Sequence, residues 1–383
     1  MSVSFVFQTV NDIRCGAACS HKLGAMLQQK FAAKNVLIIT DSGLVKLGKL
    51  THLLASLSAN AIQAKVFDGV VPDPSDSLIL RAAEHAQNAD VIIGFGGGSS
   101  MDTAKLAAVL AQNEQPLAEM YGVEQVKSTR KPLVQIPTTA GTGSEVTPIS
   151  VVTTGETTKS GVVSSVLYAD LVLLDASLLA GMPAHITAET GVDAMVHAIE
   201  AFTSKIKKNP LSDNLAQQAL RLLSHSLPLA YTDIHNLEHR QNTLLGAMLA
   251  GQAFANAPVA GVHALAYPLG GIFHLAHGLT NALMLPHVLV FNIEVAEAEY
   301  AQLGRLLISD LPTDSRQQAE AFIVFMQKLS YDLGLNKRLR DYGIKQDDLE
   351  LLASEAMKQT RLLQNNPKPI FYDDALALYQ AAW

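Results

Sequence analysis

Residues 191–202, Gly-Val-Asp-Ala-Met-Val-His-Ala-Ile-Glu-Ala-Phe, set three ionisable side chains into a run that otherwise reads as a buried helix. Asp193 and His197 are four positions apart, about 40° around a helix, so both leave the same face and can converge on one point. An unpaired buried carboxylate is costly, and a bound cation is one way to remove that cost; a salt link or a helix cap is another. Company for the pair lies in residues 261–287, an apolar stretch that carries His263, His274, His277 and His287. On one straight helix His263 and His277 would stand roughly 21 Å apart, too far to share an ion. Pro268, Gly270 and Gly271 lie between them and are expected to break the helix, letting both imidazoles meet the face of Asp193 and His197. One carboxylate and three imidazoles suit a divalent Fe or Zn, whereas each histidine taken singly would serve equally as a satisfied core residue.

A second candidate is the turn in Val-Ile-Ile-Gly-Phe-Gly-Gly-Gly-Ser-Ser-Met-Asp-Thr-Ala-Lys, residues 91–105. Gly96, Gly97 and Gly98 let backbone approach a ligand closely, and Ser99 to Asp102 open a helix whose unpaired amides can receive phosphate. The spacing lacks the third glycine of the dinucleotide fingerprint and follows the third predicted strand rather than the first. A purely structural turn therefore stays open on this segment alone. Thr40-Asp41, at the end of the first predicted strand, places a carboxylate where it can accept from both hydroxyls of an adenosine ribose and repel a 2′-phosphate, which favours NAD over NADP. Residues 137–148, Pro-Thr-Thr-Ala-Gly-Thr-Gly-Ser-Glu-Val-Thr-Pro, add the hydroxyls of Thr138, Thr139, Thr142 and Ser144 in a glycine-flexed loop.

The elements that must position these groups fall into two blocks. Over residues 35–180 short β-rich runs alternate with amphipathic helices, the pattern of a mostly parallel sheet covered on both faces. Beyond Ala180-Gly181-Met182-Pro183 helical periodicity takes over, first in residues 187–204, 212–230 and 238–257. The reading is an α/β domain over residues 1–182 and an all-α domain over 183–383, with a cleft between them as the default ligand site. At 383 residues and 49% hydrophobic the chain is too large for one ordinary core. A net charge of -7 and the lack of long basic runs exclude a nucleic-acid footprint. No segment offers 18 uninterrupted apolar residues free of charge, histidine or proline, so no membrane partner is expected. Cys15 and Cys19, the only cysteines, point to a reducing, cytoplasmic compartment and to small, partly buried thiols.

Taken together, residues 96–105, 137–148, 181–202, 256–271 and 276–292 resemble the iron-containing (group III) alcohol dehydrogenases, and the similarity covers essentially the whole chain. The resemblance implies a dehydroquinate synthase-like architecture: a Rossmann-like dinucleotide-binding domain followed by an all-α domain, in a homodimer. It implies a metal-dependent, NAD-linked oxidoreductase acting on a small alcohol or aldehyde, with Fe2+ favoured and Zn2+ open. Its metal ligands fall on Asp193, His197, His263 and His277. Its diphosphate contacts fall on Gly97, Gly98 and Ser99, with Asp102 beside them, and its nicotinamide-side contacts on Thr138, Thr139 and Thr142. A cofactor-contacting lysine falls on Lys159, the selector of NAD on Asp41, and a pocket aromatic on Phe254.

One departure affects the chemistry expected. Many members carry a histidine with a proton-relay role where this chain has Tyr267, a residue that is also associated with the related hydroxyacid-oxoacid transhydrogenases. Tyr267 lies four positions after His263 and should share its helical face, so Tyr267, His274 or a ribose hydroxyl of the cofactor stands open as the proton carrier. Hydride shuttling with bound NAD, a dehydroquinate-synthase-like lyase and a non-catalytic nucleotide- or metal-binding subunit are the alternatives. The lyase lacks the basic phosphate cluster it needs in residues 187–292.

Overall fold

A computed structural model describes residues 4–155 and 158–383. The chain separates into two compact units, Gln8–Ala180 and Gly181–Trp383, with residues 4–7 belonging to the second. The first contains all nine described strands: β1 Ile13–Cys15, β2 Asn35–Ile39, β3 Gln63–Phe67, β4 Val91–Gly96, β5 Gly122–Val123, β6 Leu133–Pro137, β7 Ile149–Thr154, β8 Thr158–Val163 and β9 Leu171–Leu174.

Six of them form one sheet in the order β1-β9-β6-β4-β2-β3, and every pairing in it is parallel. The central strands are continuous apolar runs such as Val36 to Ile39 and Val91 to Ile93, buried on both faces, as a sheet covered by helices on each side requires. The chain leaves β2 toward β3 and then returns past β2 to β4, so the direction of winding reverses between β2 and β4. The carboxyl ends of those two strands, in register at Ile39 and Gly94, flank the crevice where open α/β sheets bind ligands. A smaller sheet, β5-β8-β7, carries the antiparallel hairpin of β7 and β8.

Several local expectations are corrected. The helical segment after β2 is two helices, Ser42–Lys46 and Thr51–Ala59, because Gly48 turns left-handed at φ 69 between them. The sequence pattern passed over β1, β5, β9 and the β7–β8 hairpin, so the glycine turn follows the fourth strand in chain order. Strands of two to four residues, such as β5, β1 and β9, are too short to show a period of their own.

The second unit is helical, and among its described residues there is no strand. Its long helices include Ala184–Thr203, Pro210–Thr232, Leu237–Asn256, Gly261–Phe273, His277–Leu307 and Ser315–Asp332. Leu237–Asn256 and Gly261–Phe273 meet at a bend of 106°. Gly261–Phe273 runs unbroken through Pro268, Gly270 and Gly271, which corrects the expected break. The reversal comes instead at His274, left-handed at φ 55, whose amide closes the helix on the Gly270 carbonyl at 3.1 Å. Histidine enters this conformation more readily than most side chains, and a proline costs one helical hydrogen bond that the buried packing around Pro268 offsets. By length and composition His277–Leu307 is apolar enough to cross a bilayer, but 67% of the qualifying window is buried within the fold, as for a core helix.

Candidate metal centre and cofactor loop

Helix Ala184–Thr203 presents Asp193, His197 and Glu200 at i, i+4 and i+7, all on one inward face and all nearly excluded from solvent. Two glycines let its neighbours come close enough to complete the site. A Cβ at Gly191 would stand 2.2 Å from Leu227 of Pro210–Thr232, and one at Gly278 would stand 2.4 Å from the Glu189 carbonyl oxygen. The second contact lays the first turn of His277–Leu307 directly on Ala184–Thr203, which brings His277 and Asn281 opposite Asp193. His263 arrives from Gly261–Phe273, and Tyr379 Oη secures that helix by donating to the Leu265 carbonyl at 2.6 Å.

The four side chains expected as ligands converge. One donor atom from each of Asp193, His197, His263 and His277 lies within 4.8 Å of all the others. From Asp193 Oδ1 the distances to Nε2 are 3.9 Å for His197, 3.9 Å for His263 and 3.7 Å for His277. Burial pushes the Asp193 carboxyl up, and the three imidazoles with the Asn281 amide outweigh it, holding the group below its ordinary value. His197 is sandwiched, with its ring centre 4.4 Å from that of Phe254 and 4.7 Å from that of His263. His277, with its side chain 35% exposed, marks the open side of the cluster.

Glu200 explains the remaining charge. Its Oε2 accepts from His263 Nδ1 at 2.6 Å and from the Ala260 amide at 2.9 Å, and its Oε1 accepts from the Val262 amide at 2.6 Å. A carboxylate on Nδ1 fixes the tautomer and leaves the Nε2 lone pair facing the cluster, as in carboxylate–histidine–metal triads. In the sequence, the helical register of Glu200 with Asp193 and His197 is the signal that places it there. Among the described residues neither Asp193 nor Glu200 has a lysine or arginine partner. Two buried carboxylates whose described partners are imidazoles and neutral amides leave negative charge that one divalent cation would balance. Four donors at zinc-like bond lengths in a tetrahedron stand about 3.3–3.6 Å apart, slightly closer than those here, so the donor set and its spacing fit such an ion.

In the first unit the glycine turn lies at the end of β4, beside Asp41 at the end of β2. Gly96 has φ 150, and a Cβ there would meet Ser100 Oγ at 2.6 Å, so the tight entry into helix Gly98–Leu110 requires glycine. Gly97 stands at the N-cap with no side chain capping the helix. The first-turn amides of Gly98 and Ser99 are thereby left for an anion, and Thr139 and Thr142 line the rim within 3.5 Å of the positions a Cβ on Gly97 or Gly98 would take. Thr138 is buried, its amide held by the Gly96 carbonyl at 3.0 Å. These features fit a dinucleotide diphosphate.

Several of the other residues expected at the site have partners within the protein. The Asp102 carboxylate is directed into the protein, accepting from Ser144 Oγ at 2.6 Å, the Val151 amide at 2.9 Å and Lys105 Nζ at 3.2 Å. Fully buried Lys105 also donates to Ser144 Oγ at 2.8 Å and the Ile149 carbonyl at 2.6 Å; burial lowers its pKa and Asp102 opposes the shift. This pair ties the helix to the threonine loop. Asp41 Oδ1 caps Ser42–Lys46 through the Leu44 amide at 3.0 Å. Lys159 forms an ion pair with Asp73 at 2.6 Å. Tyr267 has its ring centre 5.9 Å from that of His277, whereas His274 is exposed.

Sequence comparison agrees with this geometry. Residues 11–176 match the iron-containing alcohol dehydrogenase domain, and residues 187–383 match the C-terminal domain of the Fe-containing alcohol dehydrogenase family. The chain is similar to long-chain-alcohol dehydrogenase 1 of Geobacillus thermodenitrificans, 40% identical over 93% of this chain and 91% of the relative. It superposes on the crystal structure of a 1,3-propanediol oxidoreductase with a TM-score of 0.95 at 34% identity, covering all of both chains. It also superposes on a sulfoacetaldehyde reductase of Bifidobacterium kashiwanohense in complex with NAD+, with a TM-score of 0.89 at 25% identity over 100% of this chain and 99% of the other. The parallel sheet with its uncapped glycine turn, the helical unit with its three-histidine, one-aspartate cluster and these likenesses lead to one conclusion: the chain belongs to the iron-containing alcohol dehydrogenase family.

Proposed function

We propose that this chain catalyses the reversible, NAD-linked oxidation of a small alcohol to its aldehyde or ketone, with Asp193, His197, His263 and His277 holding the metal. The convergence of those four side chains carries the reading. A bound divalent ion supplies Lewis acidity, lowering the pKa of an alcohol oxygen and polarising a carbonyl. The protein's own groups do the rest. Glu200 keeps His263 in the tautomer that faces the ion, and Phe254 walls the side of His197 with an apolar ring. The helix N-terminus at Gly98 and Ser99 receives the diphosphate, the Thr138, Thr139 and Thr142 loop lines the nicotinamide side, and Lys159, ion-paired with Asp73, is the further cation offered to the cofactor. Asp41, with Oδ1 committed to its helix cap, offers its charge to the adenosine ribose and so selects NAD. Tyr267, packed against His277 near the open side, is the proton carrier in preference to exposed His274.

The relatives' names run from a long-chain alcohol dehydrogenase to a sulfoacetaldehyde reductase, so the substrate is sought with a panel. The family resemblance supports a homodimer, and the presence of two cysteines in 383 residues supports a reducing, cytoplasmic setting. Metal analysis and nicotinamide absorbance on His263→Ala test the assignment. Both bound metal and turnover should vanish, and retention of either overturns it.

A further inference from the structure

The metal cluster contains a residue that no ligand set accounts for. Asn281, buried one helical turn after His277, aims its carboxamide between the donors. Its Nδ2 lies 2.6 Å from Asp193 Oδ1, 3.2 Å from His263 Nε2 and 3.3 Å from His277 Nε2, while its Oδ1 is buried without a hydrogen-bond partner. The orientation follows from the surrounding chemistry. Asp193 can only accept, and His263, with its Nδ1 proton given to Glu200, presents a lone pair at Nε2. An amide oxygen in that position would face acceptors alone; the nitrogen answers them, at the expense of the orphaned oxygen.

We propose that Asn281 is a positioning residue for the metal centre: its amide orients the Asp193 carboxylate and holds the His263 lone pair inward, assembling the donor set before the ion arrives. The proposal rests on the ligand assignment made above. Without the amide, the Asp193 carboxylate and the His263 nitrogen lose their common donor, and the side chains must be ordered by the incoming ion itself. Partners of this kind typically change metal affinity by about 10–100-fold.

The experiment measures affinity for Co2+ by titration of the metal-free protein, with visible absorption of the loaded site, in wild type, Asn281→Ala, Asn281→Leu and His263→Ala. Asn281→Leu keeps the volume and removes the donor, whereas Asn281→Ala opens space for a water that can donate in its place. A positioning role predicts affinity in the order wild type, Ala, Leu, with about 10–100-fold lost in Leu and the band shape of the saturated site retained. A packing role predicts the reverse order of the two variants, because the cavity is made by alanine. That reversal, a loss below threefold in Leu, or a changed band shape in the saturated Leu variant, which would make Asn281 a ligand, overturns the proposal. Failure of the underlying assignment looks different: His263→Ala would bind Co2+ as wild type does. Thermal melts of the metal-free proteins confirm that each variant is folded.

Discussion

The two units bury charge in opposite ways. In the α/β unit Lys105 lies beneath the cofactor loop with Asp102, Ser144 and the Ile149 carbonyl around it, so its charge is answered within the protein. In the helical unit Asp193 and Glu200 are as deeply buried, and imidazoles and amides are their only described partners. The first arrangement is closed and fixes a loop; the second carries an excess of negative charge that a cation removes. The candidate ligand groups differ in the same sense, with backbone amides and small residues at the glycine turn and one carboxylate with three imidazoles, drawn from three helices, at the cluster.

Substitutions on either side test that contrast. Asp193→Ala should lower kcat/KM by about 10³-fold or more, through loss of the metal, and leave NAD binding at its wild-type level by fluorescence titration. Bound metal at wild-type stoichiometry in this variant would break the comparison. Lys105→Met should act on stability instead. Removing one partner of a buried pair costs about 3–5 kcal/mol, read as a lower urea midpoint, while metal content stays the same.

A further anchor of the α/β unit predicts a pH effect. Burial pushes the Asp175 carboxyl up, but hydrogen bonds from Ser177, Ser20 and the Ala18 amide outweigh it and hold the group below its usual range. A depressed folded pKa gives stability that is present above the unfolded value and lost as pH falls through the folded one. Asp175→Ala should therefore cost about 2–4 kcal/mol at neutral pH, with the gap to wild type narrowing as pH drops below about 4. Denaturation at pH 7 and at pH 3 gives both figures, and a constant gap would contradict the assignment.

Two smaller effects sharpen the comparison. Glu200→Gln keeps the shape but removes the charge behind His263, and metal affinity should fall about 10–100-fold. Asp41→Asn retains an oxygen for the Leu44 amide while losing the negative charge, so the preference for NAD over NADP should shrink about tenfold at little cost to stability. An unchanged ratio of kcat/KM for the two cofactors would remove Asp41 from the selector role.

Legibility in the sequence followed how local each feature is. The strands Asn35–Ile39, Gln63–Phe67, Val91–Gly96 and Leu133–Pro137 and the glycine turn declare themselves within a few residues, since short β-rich runs and glycine conformations are properties of short segments. The pairing of Asp193 with His197 was likewise written in one helical turn. His263 and His277 were recognisable as candidates, but the mechanism expected for bringing them together was wrong: the chain reverses at His274, not at Pro268. Whether a buried proline breaks a helix, or a histidine turns left-handed, depends on packing that no window of sequence contains. The roles of Glu200 and Asn281 were also decided by the tertiary structure. A carboxylate or amide in an apolar helix announces only that something polar must meet it, and the partner comes from another helix, brought within reach by the close approach at Gly278. Sequence by itself determined which residues could carry charge or bend the chain, because those are properties of single side chains and their neighbours. Which of them share a site was left to the fold, because burial and distance belong to pairs remote along the chain.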